Sequence, residues 1–185
     1  MKCVCTAVFV LALAVPFAHA QAPGAAPQTI TLAAGLQRSY DGIKRNLTEM
    51  AQGMPEADYS FQITKDVRTF GQLFGHVANA QFGACAAARG VANPNQGNDN
   101  EKKATKAEFV KALADSFAFC DEAFKMLTDA NATEMMKQGA NSVARAAILA
   151  NLVAHSNEVY GTAIPYYRLK GLVPPSTERA MKKPM

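Results

Sequence analysis

Apolar side chains between Leu36 and Met54 recur at intervals of 4, 3, 4, 3 and 4 residues, at Leu36, Tyr40, Ile43, Leu47, Met50 and Met54. A repeat that averages the helical period puts all six on one stripe, so the spacing predicts a helix over about residues 31–52. Gly53 and Pro55 stop it. Residues 54–68 follow without a period, and Pro55, Asp58, Ser60 and Asp66 favour turns there.

Thr69 and Gln72 have the spacing of a capping box, in which a hydroxyl and an amide satisfy free backbone donors at a helix start. The second helix then runs to about residue 89 and ends at Gly90, with His76 on the face shared by Leu73 and Ala80. Residues 91–104 (VANPNQGNDNEKKA) are nearly devoid of apolar side chains and read as an exposed connection. Thr105 and Glu108 repeat the capping signal, opening a third helix whose seam is Phe109, Leu113, Phe117, Cys120, Phe124 and Leu127. After a loop over residues 129–139, with room for a short helical turn, a fourth helix is predicted over about residues 142–170, ending at Gly171 before Pro174 and Pro175. Pro165 falls inside it and predicts a kink, because its ring lacks a donor and crowds the carbonyl of Gly161. No segment alternates strongly enough to be a strand. The expected fold is all-α, a four-helix bundle, in which sites are built from side chains that face the interior.

The chain has 185 residues, and the first twenty bear Lys2, an apolar run over residues 8–17, and Ala18-His19-Ala20 ahead of Gln21. This is the pattern of a secretory signal with its cleavage site, and the run is shorter than the roughly 20 residues a spanning helix needs. The organisation expected is a signal peptide over 1–20, a flexible segment over 21–30, the bundle over 31–171 and a tail over 172–185. A retained anchor is the alternative for the leader; no later stretch is long and apolar enough to span a membrane. The 165 residues that remain, expected to be periplasmic or secreted, suffice for one domain with a proper core.

The formal charge of +4 falls to +3 without Lys2, and the basic residues form no stripe interleaved with aromatics, which argues against nucleic acid as a partner. Cys3 and Cys5 leave with the leader, while Cys85 and Cys120 remain as an even pair in an oxidising periplasmic or extracellular setting. Two readings stand for that pair: a disulfide between neighbouring antiparallel helices, or two separate buried thiols. Asn46-Leu-Thr48 and Asn131-Ala-Thr133 fit the short glycosylation pattern, and Met50, Met54, Met135 and Met136 read as core or loop fillers. No Gly-rich phosphate loop or Ser-His-Asp arrangement is present.

Four stretches carry a resemblance: residues 55–61 (PEADYSF), 68–76 (RTFGQLFGH), 155–161 (HSNEVYG) and 167–175 (YRLKGLVPP). In this order they resemble the DinB/YfiT-like proteins over most of the chain beyond the leader. The resemblance implies a four-helix bundle, often a homodimer, with a divalent metal held by one histidine of the second helix and a His-x-x-x-His pair on the fourth. It implies thiol transferases and related metal-dependent enzymes, many with no assigned reaction.

Carried over, His76 matches the helix-two ligand and His155 the first of the helix-four pair, while Val159 stands at the third position. Residues four apart share a helical face, so two imidazoles there bind one ion while a third approaches from a facing helix. An isopropyl group has no lone pair to give, so zinc, nickel or iron would be held weakly or not at all. Among substitutes, Glu158 points about 100° away from Val159, Tyr160 is a weak ligand while protonated, and Asn79 is a poor donor to zinc. The alternative for both histidines is a hydrogen-bonded core position without metal. Two functions follow: an exported metal-dependent enzyme, thiol transferase or hydrolase-like, with an incomplete triad and a small-molecule substrate, or a non-catalytic bundle that binds a small molecule or a protein partner.

Overall fold

The protein is described here by a computed structural model covering residues 28–182. The leader expected over residues 1–20, with Cys3, Cys5 and His19, lies outside the described residues. Among those described, the chain is mostly helical. Helix α1 spans Leu32–Gly53, α2 Phe70–Arg89, α3 Lys106–Met126, α4 Arg145–Leu169 and α5 Pro175–Met181.

The sequence signals explain why the first helices start where they do. Thr69 Oγ1 accepts from the Gln72 amide at 3.1 Å while Gln72 Oε1 accepts from the Thr69 amide at 2.9 Å. Thr105 and Glu108 form the same reciprocal pair at the head of α3, at 3.3 and 3.0 Å. Each box satisfies two donors that a helix start leaves free. The stripe read on α1 is the buried one: Tyr40, Ile43, Leu47, Met50 and Met54 are all core residues.

Three expectations need correction. A strand pair is present, β1 Met135–Gln138 antiparallel to β2 Asn141–Ala144, with Met136 opposite Val143. The two-residue turn between Gln138 and Asn141 contains Gly139 at φ 61°, a left-handed conformation that favours glycine. Four residues per strand are too few for alternation to stand out. In consequence α4 begins at Arg145 rather than near residue 142. The Arg145 and Ala146 amides donate to the carbonyls of Glu134 and Ala132 at 2.8 and 2.9 Å, so residues just ahead of β1 satisfy donors that a helix start at Arg145 leaves free. The buried Arg145 guanidinium reinforces this start by bonding Glu134 Oε2 at 2.6 Å and the carbonyl of Ala88. Third, the tail beyond residue 172 holds α5, which opens with Pro175 in its first turn, where the missing donor costs nothing. Helix α4 continues through Pro165.

Helices α1 and α2 each pack on both α3 and α4, and scarcely on one another. The core between them is aromatic: Tyr40 stacks on Phe124 at 3.9 Å between centroids, and Phe70 meets Phe74 at 4.8 Å. Tyr40 reaches Asp121 at 2.8 Å, and Lys44 closes the same carboxylate at 2.6 Å, which satisfies the one polar end of a buried ring. A disulfide joins Cys85 of α2 to Cys120 of α3, with Cα atoms 5.3 Å apart and both residues buried. No helix among the described residues is long and apolar enough to cross a membrane.

Two stability outcomes follow. The disulfide closes a loop of 35 residues, so reduction should lower the unfolding free energy by about 2–4 kcal/mol, read as a drop in the urea midpoint with and without reductant. Leu47→Ala, at a fully buried site, should cost about 2–5 kcal/mol in the same assay; a loss below about 1 kcal/mol would show that the core refills the void.

Candidate functional site

His76 projects from the middle of α2 and His155 from the middle of α4, and the packing of those helices brings the rings together. Their centroids lie 4.9 Å apart with planes at 74°. The side chains are 29% and 31% exposed, so the pair sits at the rim of the core and opens to solvent.

Glu101, from the 3-10 turn Asn100–Lys102 that precedes α3, completes one side of the pair. Its Oε1 lies 2.8 Å from Nδ1 of His76, while its Oε2 accepts from Nε of Arg68 at 2.8 Å. Arg68 is itself held just ahead of α2, where its carbonyl accepts from the Tyr166 hydroxyl at 2.8 Å. Burial works to raise the Glu101 carboxyl, but hydrogen bonds from Arg68 and His76, with the charge of Arg68, bring it below the usual carboxylate range. An ionised carboxylate only accepts, so the contact at 2.8 Å requires the proton of His76 to be on Nδ1. Among the described residues His76 Nε2 has no hydrogen-bond partner, so a lone pair remains for a ligand or a proton.

His155 is a different case. Its nearest carboxylate, Glu158, is 3.6 Å from Nδ1, too far for a hydrogen bond, and is 77% exposed. Burial foremost holds its pKa below the ordinary histidine value, with Glu158 pulling the other way. The neutral imidazole is therefore favoured at neutral pH.

The third position of the resemblance does not supply a ligand. Val159 is 6% exposed and packs in the core. Tyr160 is committed to the start of α5, where its hydroxyl donates to Ser176 Oγ at 2.9 Å. Asn79 is committed to the α2–α3 connection through Asn100 and Asp99. Among the described residues no group of three or more His, Cys, Asp or Glu side chains is arranged to hold a metal ion. A zinc centre draws on at least three protein ligands, and two imidazoles backed by a core valine do not fit one.

Beside the pair, an open cleft of about 590 Å³ is lined by Arg68, Gln72, Leu73, Glu101, Thr162 and Tyr166. Polar groups thus converge on a partly apolar wall, the usual make-up of a small-molecule site. Sequence reasoning found both histidines and missed Arg68 and Glu101 as site residues. Arg68 was visible only as part of a motif, and Glu101 stood in a polar run that carried no periodic signal at all.

The described fold is matched by solved structures. A DinB-like protein from Bacillus cereus ATCC 10987 superposes with a TM-score of 0.65 at 17% identity, over 76% of this chain and 94% of that one. A conserved protein from Enterococcus faecalis gives 0.62 at 14% identity, over 76% and 98%. At these identities the likeness is one of fold. No curated protein matches the chain. The DinB superfamily model matches residues 40–163, a span that begins in α1, includes both histidines and ends in α4, and on that match the chain belongs to the DinB superfamily.

Proposed function

We propose that this is an exported, periplasmic or secreted DinB-like four-helix bundle that binds a small molecule directly in the cleft beside the His76–His155 pair, with a divalent metal held weakly or not at all. The observation that carries the reading is the donor count. Val159 fills the third position inside the core, and Asn79 and Tyr160 are occupied elsewhere. The two imidazoles are left with free nitrogen lone pairs beside Arg68, Glu101 and the open cleft. Such a site can bind and orient a polar small molecule, and His76, backed by a carboxylate, has the arrangement of a proton acceptor. Export is supported by the leader pattern over residues 1–20 and by a disulfide at Cys85–Cys120, a bond that persists in oxidising compartments. A homodimer is supported by the resemblance alone.

A second reading, a metal-dependent enzyme of the thiol transferase or hydrolase-like kind, is favoured by one observation. Metal-bound histidines characteristically donate their other ring nitrogen to a carboxylate, and His76 has that support from Glu101. On this reading the remaining coordination positions would fall to the substrate or to water.

Calorimetric titration of zinc or nickel into untagged protein separates the two. Val159→His is expected to tighten metal binding on the order of a hundredfold or more, because it restores a third imidazole one turn from His155. Stoichiometric, tight metal in the unaltered protein would overturn direct binding in favour of the second reading. In the presence of a chelator, small polar fragments should shift the imidazole resonances of His76 and His155; a fragment set that shifts neither would overturn the binding reading.

A further inference from the structure

The connection between α2 and α3 looks like solvent-exposed linker in composition, yet it is fastened to α2 one turn beyond His76. Asn79 Oδ1 accepts from the Asn100 amide at 3.0 Å, from Asn100 Nδ2 at 2.9 Å and from Asn95 Nδ2 at 3.2 Å. Its own Nδ2 donates to Asp99 Oδ1 at 2.9 Å, and that same oxygen accepts from the Glu101 amide at 3.0 Å. Asn100 is buried at 5% exposure, unusual for a side chain in so polar a run. On the other side of His76, a Cβ added at Gly75 would lie 2.6 Å from the Asn100 carbonyl carbon and 2.8 Å from the Glu101 nitrogen. Both are backbone atoms, which cannot swing aside as a flexible side chain does. The turn therefore rests directly on the α2 backbone at Gly75 and is clamped at Asn79, the residues just before and three after His76.

We infer that Glu101 is a positioning residue for His76, and that Gly75 and Asn79 seat the turn that carries it, so that the partly exposed His76 ring beside the cleft offers an imidazole acceptor to ligands bearing an N–H, O–H or S–H donor. The inference rests on the binding reading for its ligand class, but the positioning stands without it. A carboxylate on Nδ1 fixes both the ring orientation and the tautomer. Nε2 then carries a lone pair, and a molecule that could only accept hydrogen bonds gains nothing from it. Nothing in the spacing of the histidines required this, because the positioning group comes from a connection that the family motifs do not include.

Long-range proton–nitrogen spectra of the unliganded protein report the tautomer directly, at pH about 8.5, where an ordinary imidazole is neutral. His76→Gln and His155→Gln assign the signals. In the unaltered protein His76 is expected to carry its proton on Nδ1. Glu101→Ala should abolish that preference, and Glu101→Gln, which keeps an accepting oxygen, should retain it. Asn79→Ala, which touches neither ring, should weaken it, as should Gly75→Ala if that variant folds. Gly83→Ala, on the same helix with open space around it, should change nothing. A proton found on Nε2 of His76, or a tautomer indifferent to both Glu101→Ala and Asn79→Ala, would overturn the assignment. Since no ligand enters the measurement, a failed fragment screen alongside an Nδ1–H tautomer would sink the binding reading alone. If the ligand class is right, fragments with a protic donor should bind at least about tenfold more tightly than aprotic isosteres, a difference of about 1.4 kcal/mol; equal affinity would overturn that part.

Discussion

Seating α2 against α3 and α4 at the same time is the constraint on which the rest of this molecule depends. Leu73, Phe74 and Val77 bury one side of the helix, while the Cys85–Cys120 bond ties its far end to α3. His76 lies between these anchors, at the edge where the buried stripe gives way to solvent. An imidazole needs that intermediate position: buried deeper it would lose access to ligands, and further out it would lose its fixed orientation. The hydrophobic contacts on α2 therefore do more for the site than any polar contact within it.

The two histidines pack against each other but do not share an environment. His76 is backed by a carboxylate that is itself paired with Arg68, so its ring is held on one side by a charged network. His155 lies near an exposed carboxylate at a distance too long to bond, and burial foremost holds its pKa down. Such asymmetry suits a site in which one imidazole is fixed and the other adapts. Valine at position 159 extends the apolar wall where a third imidazole is implied by the resemblance, and the core closes around it.

Much of the fold could be read from local signals. The stripe from Leu36 to Met54 and the reciprocal caps at Thr69–Gln72 and Thr105–Glu108 arise from interactions within a few residues, and the helices begin where those signals stand. The hairpin at Met135–Ala144 was not legible, because its strands are too short to show a period and it packs on α2, which is distant in sequence. Helix α5 was also missed. Seven residues with little helical pattern are held by Arg179 reaching Glu49 and Asn46 on α1, a contact across more than a hundred residues of sequence.

For the site, the chain by itself determined which imidazoles were available and which position lacked one, since ligand chemistry is a property of single side chains. Helical spacing likewise put His155 and Val159 on one face. Only the folded arrangement decided that Glu101 would stand behind His76, that Asn79 would be spent on the connection, and that the pair would open beside Arg68. Those outcomes depend on the close approach of backbones at Gly75 and on long-range hydrogen bonds, and neither leaves a periodic trace in a linear string of residues.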